Sequence, residues 1–161
     1  MTRLGNAYAA GKGLRKDEAE AVRWYRKAAD ADYAPAMGQL GLMYANGSGL
    51  PKDDAEATRW YRKAADKGDV ASMYTLAIRT EFAMGTGKDT EEAARLALAS
   101  VKGGYEFART QLISEAEKWS IDFRRALQRK LKEAGFYDGD IDGRMGGGVK
   151  DALDRLAKPA S

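Results

Sequence analysis

The side chains able to do chemistry here are few in kind. The 161-residue chain contains neither histidine nor cysteine, which removes imidazole bases, thiol nucleophiles, disulfides and the usual zinc and copper ligand sets. Carboxylates, cations and aromatic rings remain. Acidic pairs at Asp53-Asp54 and Glu91-Glu92 have the composition of an acid and base for glycoside hydrolysis. Both pairs open helical segments, where carboxylates offset the helix dipole, and that role accounts for them. Asp138, Asp140 and Asp142 alternate ahead of Gly143 as in the first half of a calcium loop, but Val149 stands where a bidentate glutamate is required. The segment therefore reads as a turn held by Asx-type bonds. Trp24-Tyr25-Arg26-Lys27 and its copy at 60–63 interleave rings and cations, as proteins that bind single-stranded nucleic acid do. Trp24 shares a helical face with Ala21 and Ala28 while Arg23, Arg26 and Lys27 spread outward, so these aromatics read as core between repeats. Residues 1–118 hold 18 basic and 17 acidic side chains, and the whole chain carries a net charge of +3. That is short of a nucleic-acid-binding patch. No catalytic group, metal site or cofactor site emerges, and the chain reads as non-enzymatic.

The elements that would position these residues are repeated. A shift of 36 positions superposes residues 4–30 on 40–66 with 20 of 27 identities, including Leu-Gly, Tyr, Gly-x-Gly, Lys-Asp and Arg-Trp-Tyr-Arg-Lys-Ala-Ala-Asp. A fixed period of this size means stacked supersecondary units. Each unit reads as two helices. The first, roughly 35–46, has Pro35 in its first turn, apolar residues Leu40, Met43 and Tyr44 at helical spacing, and a stop at Gly47. The second begins at Asp53, which caps the backbone while Glu56 reaches back to complete a capping box; Asp17/Glu20 and Asp89/Glu92 repeat the pair. Between them, 47–52 supplies two glycines for positive backbone angles and Leu50 to tuck between the helices. A third unit keeps phase through Leu76, Gly85, Gly87, Asp89 and Ala93-Ala94, and a helix over about 106–118 closes the stack.

After Trp119 the period fails. Ile121, Phe123, Leu127 and Leu131 mark one helical face ending at Gly135, a glycine-rich and aspartate-rich loop follows, and a last helix runs from about 149 to 156. The expected architecture is all-α: an α-solenoid of stacked helix-turn-helix repeats over 1–118, with its first repeat truncated, its third degenerate and its fourth a capping helix, plus a small helical domain over 119–161. With 44% hydrophobic and 32% charged residues, the composition suits soluble globular domains. No apolar run approaches the roughly 20 residues that span a bilayer, and the start lacks a signal peptide's apolar core. Because the chain opens inside a repeat, it is expected to be a piece of a longer protein.

Two resemblances follow from these motifs. Residues 1–118 resemble the Sel-one-like repeat, a relative of the tetratricopeptide repeat, which implies an interaction scaffold without activity of its own. Leu127-Gln128, Leu131, Gly135-Phe136-Tyr137-Asp138-Gly139, Ile141-Asp142-Gly143, Gly146 and Ala152-Leu153 resemble the small peptidoglycan-binding domain of cell-wall enzymes. That resemblance implies muropeptide contacts at Tyr137, Asp138, Asp142, Arg144 and Met145, with Phe136 and Ile141 in the core. The pattern departs at Met145, where the family carries an aromatic, at Val149, where a capping threonine is common, and at Leu156-Ala157, where Phe-Gln is common. A unit that keeps the fold without glycan binding is the alternative reading, leaving a pure protein-interaction module or a regulator of a wall enzyme. The expected partners are peptidoglycan and other periplasmic proteins, with no cofactor, no nucleic acid and no membrane insertion. The pairing of the two units resembles the periplasmic end of PodJ-type polar localisation factors, which implies that the chain is the exported, periplasmic part of a longer membrane-anchored scaffold that places other proteins at one cell pole.

Overall fold

The structure, a computed structural model, describes residues 1–158. These form helices only: α1 (Thr2–Ala10), α2 (Glu18–Asp30), α3 (Ala34–Asn46), α4 (Asp54–Asp66), α5 (Val70–Glu81), α6 (Thr90–Lys102), α7 (Glu106–Ser114), α8 (Ile121–Glu133) and α9 (Gly147–Leu156), with a 3-10 turn at Ala116–Lys118. The all-α solenoid class expected from the repeat is the class observed. The last three residues of the C-terminal segment lie outside the described residues. Two compact units divide inside α5, the first holding residues 1–72 and 84–86, the second 73–83 and the chain from Gly87 onward.

Each hairpin is closed at its base in the same way. The side chains of Asp17, Asp53 and Asp89 accept the amides of Glu20, Glu56 and Glu92, all at 2.9 Å. Their own amides donate to the carbonyls of Tyr8, Tyr44 and Thr80 at 3.0, 3.0 and 3.3 Å. The expected capping box is therefore half-formed. The amide that the glutamate should accept is already used by the preceding helix, and each glutamate turns outward to the arginine three residues on, Arg23, Arg59 or Arg95.

In the first unit, Tyr25, Ala21, Val22, Met37, Leu40 and Met43 form the core, with Leu50 half-buried against it as the linker reading anticipates. Tyr25 lies on Gly5: a Cβ there would sit 2.7 Å from the ring, and at Gly41 it would sit 3.0 Å from Tyr61. The Leu-Gly motif thus makes room for the tyrosine of the second helix. Tyr25 also donates to Asn6 Oδ1 at 2.8 Å. The tryptophans correct the expectation. Trp24 and Trp60 are only half-buried, and Lys27 and Lys63 lie over their rings at 4.5 and 4.3 Å, while the neighbouring tyrosines fill the core at 1% and 6% exposure. A helix turns about 100° per residue, so only one of two adjacent aromatics can point fully inward. Successive repeats meet at the second linker glycine. Gly49 has φ +72, and a Cβ on it would fall 2.4 Å from the Glu18 carbonyl; Gly85 repeats this on Asp54. Only glycine satisfies both the angle and the approach.

In the second unit, Leu76, Val101, Leu112, Phe123, Leu127 and Leu153 are buried. α7 stops at Ser114 instead of continuing to Lys118 as expected. Glu115 leaves helical geometry, and the extended backbone at Trp119 (φ −87, ψ 142) turns its ring inward to stack on Phe123 at 4.0 Å. The buried Glu81 carboxylate accepts from Lys88 Nζ at 3.2 Å, from Thr90 Oγ1 at 3.0 Å and from Ser120 Oγ. Ser120 in turn caps α8 by accepting the Phe123 amide at 3.1 Å. Tyr74 is pushed up to about 12 by burial, then by the charge of Glu115 and by Tyr105. Ile121, expected on the inner face of α8, is 44% exposed, because it opens the helix's first turn beside Gly143. α9 begins at Gly147, two residues before the expected Val149.

Candidate functional site

The loop between α8 and α9 is held from both helices. Lys132 donates to the Gly139 carbonyl at 3.0 Å, and Arg155 to that of Phe136. Between these tethers lies Gln128, fully buried on α8. Its Nε2 donates to Asp142 Oδ1 and to the Arg144 carbonyl, both at 2.9 Å, and its Oε1 accepts the Gly143 amide at 2.7 Å. Asp142 Oδ1 accepts in addition the Arg144 amide at 2.8 Å. The Gln128 bond, then the Arg144 amide, holds the Asp142 carboxyl below the usual carboxylate range.

Of the five residues expected at the site, the structure brings Asp142 and Arg144 together, with Arg144 Nε 3.7 Å from Asp142 Oδ2 and the arginine side chain 90% exposed. Tyr137 is half-buried and donates to the Asp140 carbonyl at 3.0 Å. Its ring and hydroxyl occupy the space that a side chain at Gly139 would take, 2.5 Å from such a Cβ. Partial burial, followed by the charges of Asp142, Asp140 and Asp138, pushes the Tyr137 hydroxyl up. Asp138 is exposed on the same loop, Met145 is half-buried after Arg144, and Phe136 and Ile141 are half-buried where core positions were expected. Asp142 serves as a bond acceptor inside the loop, as the Asx-turn reading anticipates. Gln128 stands out in the sequence only as half of the Leu127-Gln128 pair of the wall-binding resemblance, and its role in the loop is what the sequence missed. Its signal was a polar side chain beside Leu127 and ahead of Leu131, within the buried stripe of α8.

The repeats offer an open cleft lined by charged and apolar side chains together. In the first unit a cleft of about 380 Å³ is lined by Met37, Trp60, Lys63, Asp66 and Lys67, among others, and Tyr33 and Leu42 stand 50% and 42% exposed. Tyr33 and Leu42 differ from their counterparts in the other repeats and so are able to select a partner, while Trp60, Lys63 and Asp66 of the cleft are repeated residues that stay at the surface. Residues 1–33 and 34–69 each match the family model described as the Sel1 repeat. The match spans 69 of the 161 residues. The boundary between the two matched segments, at 33/34, falls just before α3, so each matched segment is one hairpin with its following turn. The fold is similar to the crystal structure of a Sel1 repeat protein from Oxalobacter formigenes, at 26% identity and a TM-score of 0.65, over 95% of this chain and 71% of that one. It is also similar to c5321, a protective antigen present in uropathogenic Escherichia coli strains and displaying an SLR fold, at 28% identity and a TM-score of 0.64. That likeness covers 84% of this chain and 31% of c5321, so this chain spans about a third of the antigen's length. A comparison with curated proteins gives no significant match. Sel1 repeat proteins generally act as protein–protein interaction scaffolds, and the Sel1 repeat fold is typically non-catalytic. No helix among the described residues is long and apolar enough to cross a membrane.

Proposed function

We infer that this chain is a non-catalytic scaffold of the bacterial periplasm. In this reading its Sel1 repeats engage protein partners, and the loop between α8 and α9 engages peptidoglycan. The scaffold half is supported by the in-phase hairpins and their family match. The observation that supports the wall-binding half is the tethered loop, which fixes the backbone of Asp142 and Arg144 while leaving the arginine side chain in solvent. A guanidinium presented this way suits the carboxylates of the muropeptide stem. Residues 1–118 carry the repeat function and 119–161 the wall-binding unit, and the pairing fits a polar organising factor. A fluorescent fusion concentrated at one cell pole supports that last step, and an even envelope distribution removes it.

A second reading has its own observation. Ser120 binds the buried Glu81 of α5, and Arg129 and Lys130 of α8 reach Glu91 of α6 at 2.7 and 2.9 Å. The likeness to the Oxalobacter protein, at 95% coverage, also extends past residue 119. On this reading α8 and α9 are a structural cap, and protein partners are the whole function. Co-sedimentation with purified sacculi separates the two. At 0.5 M salt the screening length is about 4 Å, so non-specific attraction between this basic chain and wall carboxylates is lost. The wall-binding reading expects salt-resistant pelleting that falls at least tenfold in Arg144→Ala. Pelleting that disappears with salt, or that ignores the substitution, leaves the cap reading.

A further inference from the structure

We propose that Gln128 is the positioning residue of the α8–α9 loop, fixing the Asp142–Arg144 turn in the shape that a muropeptide meets without touching the ligand itself. The inference rests on the wall-binding reading above. A glutamine amide offers two donor protons and one carbonyl acceptor. Gln128 spends both protons on the turn, one on Asp142 and one on Arg144, and its carbonyl takes the amide of Gly143 between them. Three consecutive residues are thus referred to one side chain that is itself 0% exposed on a helix. The pattern is directional. A carboxylate must face the NH2 side and an N–H the carbonyl side, so a side chain of the same shape with other hydrogen-bonding groups does not hold the turn.

Gln128→Met keeps the length and removes every donor and acceptor. Gln128→Glu keeps the carbonyl for Gly143 but turns a carboxylate on Asp142 when ionised, and regains a donor only when protonated. The charged or titratable groups about the turn are Asp142 and Arg144 within it, Tyr137 beside Gln128, Arg125 of α8 against Gly143, and Lys132 of α8 on the Gly139 carbonyl. Amide exchange and sacculus binding are measured on the full chain at pH 5 and pH 8, with far-UV circular dichroism confirming the helices. In Gln128→Met, protection of the Gly143 and Arg144 amides is expected to fall at least tenfold while Leu131 keeps its own, and salt-resistant sacculus affinity to fall in parallel. In Gln128→Glu both losses are expected at pH 8, with recovery at pH 5 beyond any change in the wild type. Unchanged protection in Gln128→Met, a Gln128→Glu variant indifferent to pH, or full sacculus affinity with protection lost overturns the proposal. A wild-type chain that does not pellet overturns the wall-binding reading instead, and exchange alone then decides whether Gln128 fixes the turn.

Discussion

Tyr25 and Tyr61 settle more of the repeat than any other side chain, because each occupies volume that its partner glycine vacates on the first helix. The third repeat makes the same point by substitution. At the corresponding positions stand Ala77 and Ala97, both fully buried, so the ring is gone and the glycine has regained a methyl. Size is balanced across the pair. Gly41→Ala in the second repeat, with its Cβ 3.0 Å from the Tyr61 ring, should overpack the hairpin and cost about 1–3 kcal/mol. Tyr61→Ala should leave a cavity and cost about 3–5 kcal/mol. Together they reproduce the third repeat's pair, and the double variant should cost less than the sum by at least about 1 kcal/mol. Urea denaturation of the four proteins measures the coupling, and strict additivity would mean that the two sites adjust independently.

At the scale of elements, the second unit differs from the first by two buried charged residues on α5, Arg79 and Glu81. Glu81 stands where the earlier repeats carry Ala9 and Ala45, and its carboxylate gathers Lys88 from the linker, Thr90 from α6 and the capping Ser120 of α8. Glu81→Ala restores the residue of the other repeats yet removes three charge-assisted contacts. It should destabilise the protein by about 2–4 kcal/mol and raise exchange of the Phe123 amide before that of Leu40; an effect under about 0.5 kcal/mol would show that the cluster is incidental. None of this was legible in the sequence, where Glu81 falls in a degenerate repeat and its partners Lys88, Thr90 and Ser120 come from three separate segments. The hairpins were legible because the same caps, stops and linker glycines occur in phase, each with a local cause. The reciprocal half of the capping box was not, since the competing carbonyls of Tyr8, Tyr44 and Thr80 lie nine residues upstream on another helix. The site loop was legible in its residues and not in its architecture. Tyr137, Asp142 and Arg144 stood out by type, whereas Gln128 stood out only as half of the Leu-Gln pair, and its ordering of two of them depends on a loop 14–16 residues further on.

For the whole molecule, charge is abundant and nearly balanced, 27 basic against 24 acidic side chains, and it is spent locally. Glu20–Arg23, Glu56–Arg59, Glu92–Arg95 and Glu115–Lys118 are pairs three residues apart on or beside helices, with the cationic partner 59–72% exposed in each. Pairs of this kind contribute about 0.3–0.5 kcal/mol each at low salt and are screened as the Debye length contracts from roughly 10 Å at 0.1 M to about 4 Å at 0.5 M. Screening also relieves the small surplus of +3, an opposing effect of similar size. The stability that matters lies instead in the buried rings, the hairpin closures and the Glu81 cluster, which salt reaches poorly. The melting temperature should therefore move by less than about 3 °C between 0.05 and 0.5 M sodium chloride, a shift that corresponds to under about 1 kcal/mol for a chain of this size. Differential scanning calorimetry at the two salt concentrations checks it. A flat response means that any loss of sacculus pelleting at 0.5 M reports the binding surface and not the fold. A fall of 10 °C would instead place a large share of the folding free energy in the exposed pairs, and the sedimentation experiment would then need a neutral competitor in place of salt.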